Sequence, residues 1–180
     1  MKRAILSTVF ALCLFASESR AEVSLGANFG ATVSFPRDEN GRVGVGWPYS
    51  SAPSSVATPG IRFGFTGGSG KHEGYLDSTM SFYSRRDERL FLLTGNYQHN
   101  FDGRANTFFF TVGGGPIITG NRDGDAVSLM FGGGVGFRQR IAAGAGTFRE
   151  ELRFDFIPGN NGIPRTFLLG VKLGFDLWIR

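Results

Sequence analysis

The stretch EVSLGANFGATVSF, residues 22–35, alternates between apolar and small polar side chains. From Val23 to Phe35 every odd-numbered residue is apolar, and every even-numbered residue between them is Ser, Gly, Asn or Thr. Successive side chains of a β-strand point to opposite faces, so a period of two predicts a strand with one apolar and one polar face. The last stretch, TFLLGVKLGFDLWI at residues 166–179, has the same alternation and a complete apolar face.

Six further stretches of this kind lie between the two, and no sustained helical periodicity competes with them. Most have about the 9–11 residues that a tilted strand needs to cross the hydrocarbon layer of a bilayer. An even number of strands returns the chain to the side on which it started. We therefore predict an all-β fold, an eight-stranded antiparallel up-and-down transmembrane β-barrel. The predicted strands are residues 22–35, 60–68, 74–84, 89–101, 107–115, 126–138, 146–156 and 166–179.

The N-terminus has the three parts of an export signal. Two basic residues precede an apolar run at residues 4–16, and Ser-Arg-Ala at residues 19–21 is a small-x-small cleavage site. We predict a cleavable signal peptide at residues 1–21 and an outer-membrane barrel domain at residues 22–180.

Cleavage at this point changes the charge and the cysteine content. Removing Lys2, Arg3 and Arg20 from 19 basic residues, and Glu18 from 15 acidic ones, leaves 16 against 14. A net charge near +2 argues against a nucleic-acid partner. Cys13 is the only cysteine and lies inside the signal, so the mature domain is expected to fold without a disulfide.

The lengths of the connections between strands predict which end of the barrel faces outside and which faces the periplasm. In a barrel assembled from the periplasm, the odd-numbered connections lie outside and are long, and the even-numbered ones lie inside and are short. The first odd connection, 36–59, is the longest, and the even connections 69–73 and 102–106 are tight. Two connections fit the rule poorly, because 85–88 is short and 139–145 is longer than a tight turn. All seven prolines are predicted in or at the margins of odd connections: Pro36, Pro48, Pro53, Pro59, Pro116, Pro158 and Pro164.

The composition of the two faces predicts which one points outward. The polar faces of strands one, five and six are mainly Gly, Ser, Thr and Asn, which suit the narrow interior of an eight-stranded barrel. The Phe, Leu and Val side chains of the apolar faces would overfill that interior and are better placed in lipid. A soluble ligand-binding barrel is the alternative, since alternation alone does not say which face is outside.

The last strand also carries a polar-x-Gly-x-x-apolar-x-apolar pattern at Lys172, Gly174, Leu177 and Ile179. Together with the alternating strands of the whole mature chain, this pattern resembles the small eight-stranded outer-membrane proteins of the OmpA/OmpX type. The resemblance implies a monomer in the cell outer membrane, in contact with lipid and lipopolysaccharide, with both termini periplasmic. It also implies that the barrel assembly machinery reads these four residues as an assembly signal during insertion.

The sequence offers no recognisable catalytic, cofactor or metal site. The glycine runs at residues 113–115 and 132–136 lack the following helix that a phosphate-binding loop requires. His72, in a predicted turn, and His99, near the end of strand four, lack the neighbouring serine of the lipid A-modifying enzymes that share this architecture. They also supply no recognisable metal-ligand spacing. We predict that the protein is not an enzyme and needs no cofactor or metal; a lipid A deacylase or acyltransferase is the alternative.

Charged residues on the polar faces predict how the lumen is filled. On strand seven they alternate in sign, and so narrow a lumen holds little water to solvate isolated ions. We therefore predict a cross-strand charge network that plugs the barrel, with a narrow pore as the alternative. The predicted lumen charge network is Arg62, Asp77, Arg138, Arg149, Glu151, Arg153, Asp155, Lys172 and Asp176.

The first connection is the candidate recognition surface. It contains charged residues at 37–42 and Trp47-Pro48-Tyr49, which suit either a loop that binds a surface partner or a solvated hairpin with aromatic residues over the barrel mouth. The partner is left unknown. The sequence thus predicts a non-enzymatic integral outer-membrane protein that contributes to envelope integrity or surface interaction.

Overall fold

The computed structural model describes residues 22–36, 60–67, 69–83, 88–103, 106–121, 124–141, 145–159 and 165–179. The predicted signal peptide and nearly all of the candidate recognition loop lie outside the described residues. Within these ranges no helix is long and apolar enough to span a bilayer.

Antiparallel strands form one closed barrel in which each strand pairs with the next along the chain. The strands are β1 (Glu22–Pro36), β2 (Gly60–Thr66), β3 (His72–Tyr83), β4 (Glu88–Asn100), β5 (Thr107–Asn121), β6 (Gly124–Ile141), β7 (Gly146–Ile157) and β8 (Thr166–Ile179). β1 closes the barrel against β8, with Val23 opposite Ile179 and Pro36 opposite Thr166. The predicted eight-stranded, antiparallel, up-and-down barrel is confirmed.

The hairpin between β5 and β6 corrects the prediction for the third odd-numbered connection. β5 continues to Asn121 and β6 starts at Gly124, so both strands are longer than predicted and only residues 122–123 join them. This odd connection is as tight as any even one. The rule of long odd-numbered connections therefore holds only for the connection between β1 and β2 and the one between β7 and β8.

Pro116 lies inside β5 and not in a connection, contrary to the prediction. It stands opposite Leu129 of β6, where pairing is continuous. The pairing of β5 with β4 instead skips Gly115 and Pro116, which face Thr94 and Leu93. Proline has no N–H to donate, so a strand accepts it where one side of the ladder is interrupted.

Two boundaries near the even-numbered connections also differ from the prediction. The first even turn is closed by the Gly67 amide, which donates to the His72 carbonyl at 2.9 Å. His72 is therefore the first residue of β3, and Glu73, predicted in the turn, is a strand residue that faces the interior. At the third even connection β6 extends to Ile141, which leaves a tight connection in place of the longer one predicted.

The barrel is apolar outside and polar inside. Buried side chains among the described residues are mostly Arg, Asp, Glu, Asn, Gln, Ser and Thr. Large apolar side chains on β1, β2, β3, β5, β6, β7 and β8 are exposed, among them Phe108 at 66% and Phe154 at 61%. This arrangement is the reverse of a water-soluble barrel, whose apolar face is buried. It matches a barrel whose solvent is lipid.

The first two even-numbered turns meet at one end of the barrel. Gly70, with a φ of 70°, lies against Gly103 so closely that a Cβ on either residue would contact the backbone of the other turn. The Gly70 carbonyl accepts hydrogen bonds from Asn100 Nδ2 at 2.9 Å and from Arg138 Nη2 at 3.1 Å. Arg138 comes from β6, so this turn is held across the mouth of the barrel and not only by its own hairpin.

Candidate functional site

The residues predicted for the lumen network all face the interior. Eight are buried, from 1% exposed for Arg153 to 9% for Asp155, and Lys172 is the most accessible, with 23% of its side chain exposed. The structure adds Glu73, which the sequence analysis missed because it assigned this residue to a turn. Glu73 lies four residues before Asp77 and therefore shares its face of β3, which is the feature of the sequence that could have identified Glu73 as a lumen residue. With Glu73 included, the described lumen holds equal numbers of acidic and basic residues.

A first cluster of charges lies toward the end closed by the even turns. Arg62 Nη2 is 2.5 Å from Glu73 Oε1, and Arg138 Nη1 is 3.6 Å from Glu73 Oε2. Arg149 Nε is 2.8 Å from Asp176 Oδ2, and Arg62 Nε is 3.6 Å from Asp176 Oδ1. These side chains come from β2, β3, β6, β7 and β8, so the cluster ties together strands on opposite sides of the barrel.

Tyr75 and Gln98 fill the space around this cluster. The Arg62 guanidinium carbon lies 3.3 Å from the centroid of the Tyr75 ring, and that of Arg149 lies 5.7 Å away. Cations over an aromatic face are attracted by its negative potential, more strongly when they are desolvated. Gln98 donates to Glu73 Oε2 and accepts from Arg62 Nη2, both at 3.3 Å. The amide thus bridges the ion pair.

A second cluster is centred on Arg153 of β7. Its Nε is 2.8 Å from Asp155 Oδ1 and its Nη1 is 3.3 Å from Glu151 Oε1. Arg153 Nη2 also donates to Asn96 Oδ1 at 2.9 Å, and Thr111 donates its hydroxyl hydrogen to Glu151. One guanidinium therefore contacts two carboxylates on its own strand and reaches β4 across the lumen.

The third pair is looser. Lys172 Nζ is 4.0 Å from Asp77 Oδ2, and Asn28 Nδ2 donates to Asp77 Oδ1 at 2.7 Å. Every predicted network residue thus lies within 4.0 Å of an opposite charge, but the pairs differ in how well they exclude water.

Glycines facing the lumen make room for these side chains. Gly132 of β6 stands opposite Asp155, and Gly26 of β1 stands opposite Asp176. A Cβ on either glycine would come closer than 3.0 Å to the facing carboxylate and to backbone. Along β7 the lumen-facing charged residues meet glycine on at least one flanking strand, as Arg153 meets Gly134 on β6 and Gly170 on β8. The glycine runs therefore have a packing role, because long charged side chains fit the narrow lumen only beside residues without side chains.

Above the second cluster, toward the odd-numbered connections, the lumen changes to apolar packing. Ile117, Met130, Ile157 and Leu168 are buried in contact with one another, with Leu92 packed against them. The alternation did not predict this apolar cluster, because the predicted fifth strand ended before Ile117 and Leu168 occupies a polar-face position of the last strand. Within the described residues, charged side chains fill one part of the lumen and apolar side chains fill the next part along the barrel axis.

The two histidines lie on the outer surface and not in the lumen. They stand directly opposite each other on β3 and β4. Within the described residues their ring contacts are with each other, Tyr97, Phe101 and Phe110. No group of three or more His, Cys, Asp or Glu side chains suited to a metal ion occurs in the described part of the chain.

The residues of the predicted assembly signal divide between the two faces of β8. Leu177 and Ile179 are exposed on the outer face, at 51% and 57%. Gly174 faces the lumen, where a Cβ would lie 2.8 Å from Arg149 Nη2 and from Asn28 Oδ1. Gly174 therefore has a packing role that is independent of any signal.

Known structures share this fold. The crystal structure of Neisserial surface protein A superposes with a TM-score of 0.64 at 13% identity, and the alignment covers 88% of this chain and 99% of that one. The N-terminal β-barrel domain of Pseudomonas aeruginosa OprF superposes with a TM-score of 0.50 at 14% identity, covering 87% and 97%. No family model and no curated protein sequence matches the chain. At these identities the likeness establishes the fold, which is that of the small eight-stranded outer-membrane barrels.

Proposed function

We propose that the protein is an integral outer-membrane barrel with a plugged lumen, which contributes to envelope integrity or surface interaction and has no catalytic activity. The observation that carries this proposal is the inverted barrel, with exposed Phe, Leu, Val and Ile outside and paired charges inside. In hydrocarbon every backbone N–H and C=O group must be hydrogen-bonded within the protein, and a closed sheet meets this requirement because it has no unpaired edge strand. Neisserial surface protein A has a similar fold and is named as a surface protein, which supports a role at the cell surface.

The proposed location has a direct test. Cell fractionation should recover the protein with outer membranes, and the folded form should migrate differently on a gel before and after boiling. Recovery as a soluble periplasmic species, with no shift on boiling, would contradict the proposal and favour a soluble ligand-binding barrel.

A plugged lumen predicts the absence of conduction. Arg153 and its two carboxylates occupy the middle of the lumen, and the apolar cluster of Ile117, Met130, Ile157 and Leu168 lies beyond them. Purified protein in a planar bilayer should therefore show no steady openings. Steady large-conductance openings would favour the narrow pore instead.

The proposed assembly signal is tested best without altering Gly174, because its replacement also displaces Arg149. Replacing Leu177 and Ile179 with Ser should leave the protein in the periplasm. The matched control replaces Phe167 and Val171, which are exposed on the same face of β8 at 57% and 51%. Equal loss of insertion in both variants would show that apolar area, and not a signal, is responsible.

The proposed orientation places both termini and the even turns in the periplasm. Val23 and Ile179 pair at the same end of the barrel as these turns, which supports a common side for them. A protease added to intact cells should leave the turn at residues 69–71 uncut.

The proposed absence of catalysis is tested with lipid A. Purified protein should leave its acyl chains unchanged. Turnover that is lost in His99→Ala would favour the lipid A-modifying enzyme instead.

A further inference from the structure

His72 and His99 form a cross-strand pair on the outer surface of the barrel, near the even-numbered turns. They are the only histidines in the sequence, and barrel register places them directly opposite each other. Their ring centroids are 5.1 Å apart and the ring planes are inclined by 56°. Both residues are half-buried, so the pair is accessible from outside.

This separation matches two imidazoles that bind one metal ion. Zinc binds histidine nitrogen at about 2.0–2.1 Å with tetrahedral angles, which places the centroids of two imidazoles on one ion about 5 Å apart. The spacing of the two rings is therefore compatible with one shared ion. Neutral imidazole is a ligand for zinc, nickel and copper, and much less for magnesium or calcium.

Tyr97 holds one of the two rings in place. Its hydroxyl oxygen is 2.7 Å from His72 Nδ1. When Nδ1–H donates to this oxygen, the lone pair of His72 Nε2 is left for a metal ion. A hydrogen bond to the second nitrogen is the usual way in which proteins orient a metal-binding histidine.

Aromatic rings fix the other histidine. The centroid of Phe110 is 5.3 Å from that of His99, and the centroid of Phe101 is 5.9 Å away. The two rings limit the orientations of His99 without supplying a competing ligand. An aromatic belt alone would explain the phenylalanines and Tyr97, but it does not require two imidazoles in register.

We infer that His72 and His99 form an open binding site for one divalent transition-metal ion, Zn²⁺, Ni²⁺ or Cu²⁺. On a tetrahedral zinc ion, two positions remain for water or for an oxygen ligand from outside the chain. Tyr97 acts as a positioning residue. A metal at this place clamps β3 to β4 next to the turn that closes the barrel mouth.

The experiment uses untagged mature protein, folded in detergent and freed of metal with a chelator. Calorimetric titration with Zn²⁺ and Ni²⁺ should show saturable binding of one ion per chain. His72→Phe and His99→Phe keep aromatic rings in the cluster and should each weaken binding at least about 100-fold, and Tyr97→Phe should weaken it about tenfold. Absence of saturable binding in the parent, or unchanged binding in either histidine variant, would overturn the inference.

A second measurement does not depend on the folding of any variant. Electron paramagnetic resonance of the parent protein with one equivalent of Cu²⁺ should show coupling to two imidazole nitrogens. Because the chain has only two histidines, a two-nitrogen spectrum that persists on dilution identifies this pair. Coupling to one nitrogen or none would overturn the proposal.

Discussion

The lumen has two regions that are closed by opposite chemistry. Around Arg62, Glu73 and Arg153 it is filled by ion pairs and amides, and around Ile117 and Met130 it is filled by hydrocarbon. The apolar region requires only that its side chains pack together with complementary shapes. The charged region also needs each ion to meet a partner, because a desolvated charge without one is costly.

The two regions also differ in what the neighbouring strands supply. Glycines on β6 and β8 flank the charges of β7, and the apolar cluster instead takes a large side chain from each of four strands. Long charged side chains thus depend on glycine partners across the ladder. The comparison predicts that the charged region tolerates substitution less well than the apolar region.

The largest effect is expected from Arg153→Met. Removal of this guanidinium leaves the carboxylates of Glu151 and Asp155 buried without their cation, which should lower the free energy of unfolding by about 3–5 kcal/mol. Urea titration of the folded barrel in lipid vesicles measures the change. The control adds Glu151→Gln and Asp155→Asn and should recover much of the loss. A single variant as stable as the parent would show that water solvates the lumen.

Ile117→Ala tests the apolar region. The cavity should lower the free energy of unfolding by about 3 kcal/mol. Val112→Ala is the control on the same strand, because this outward-facing side chain is 51% exposed and leaves no internal cavity. Neither variant should conduct ions, since the Arg153 cluster still fills the lumen. Conductance in Ile117→Ala would assign the seal to the apolar region alone.

Gly132→Ala tests the glycine partners of the charges. The added methyl group displaces Asp155 and meets backbone, and such overpacking costs about 1–3 kcal/mol. The control is Gly74→Ala on the outer face, where nothing lies within 4 Å of the added Cβ. Equal stability of the two variants in the same urea titration would refute the packing role of the lumen glycine.

The smallest effect is expected from Lys172→Met. Its Nζ is 4.0 Å from Asp77, and 23% of the side chain is exposed, so water screens the pair. The loss should stay below about 1 kcal/mol. A loss as large as that of Arg153→Met would mean that the lumen is equally dry along its whole length.

Much of this architecture is readable from local pattern. The period of two placed all eight strands, and the same parity directed Arg62, Asp77 and the charges of β7 to one face. Errors occurred where strands were predicted to be too short, at the start of β3 beside Glu73 and at the end of β5 beside Pro116. A turn is closed by hydrogen bonds between strands, such as that from Gly67 to His72, and an isolated stretch of sequence does not contain them.

By itself, the sequence determined which residues share one face of a strand, because that grouping depends only on alternation along the strand. The small residues of the polar faces then indicated that these faces line the interior. The tertiary structure alone decided which residues meet. Arg62 reaches Glu73 and Asp176, Gly132 receives Asp155, and His72 stands opposite His99 only because the register of every ladder is set when the sheet closes. Closure links each strand to two others at a fixed stagger, and that stagger is a property of the whole barrel.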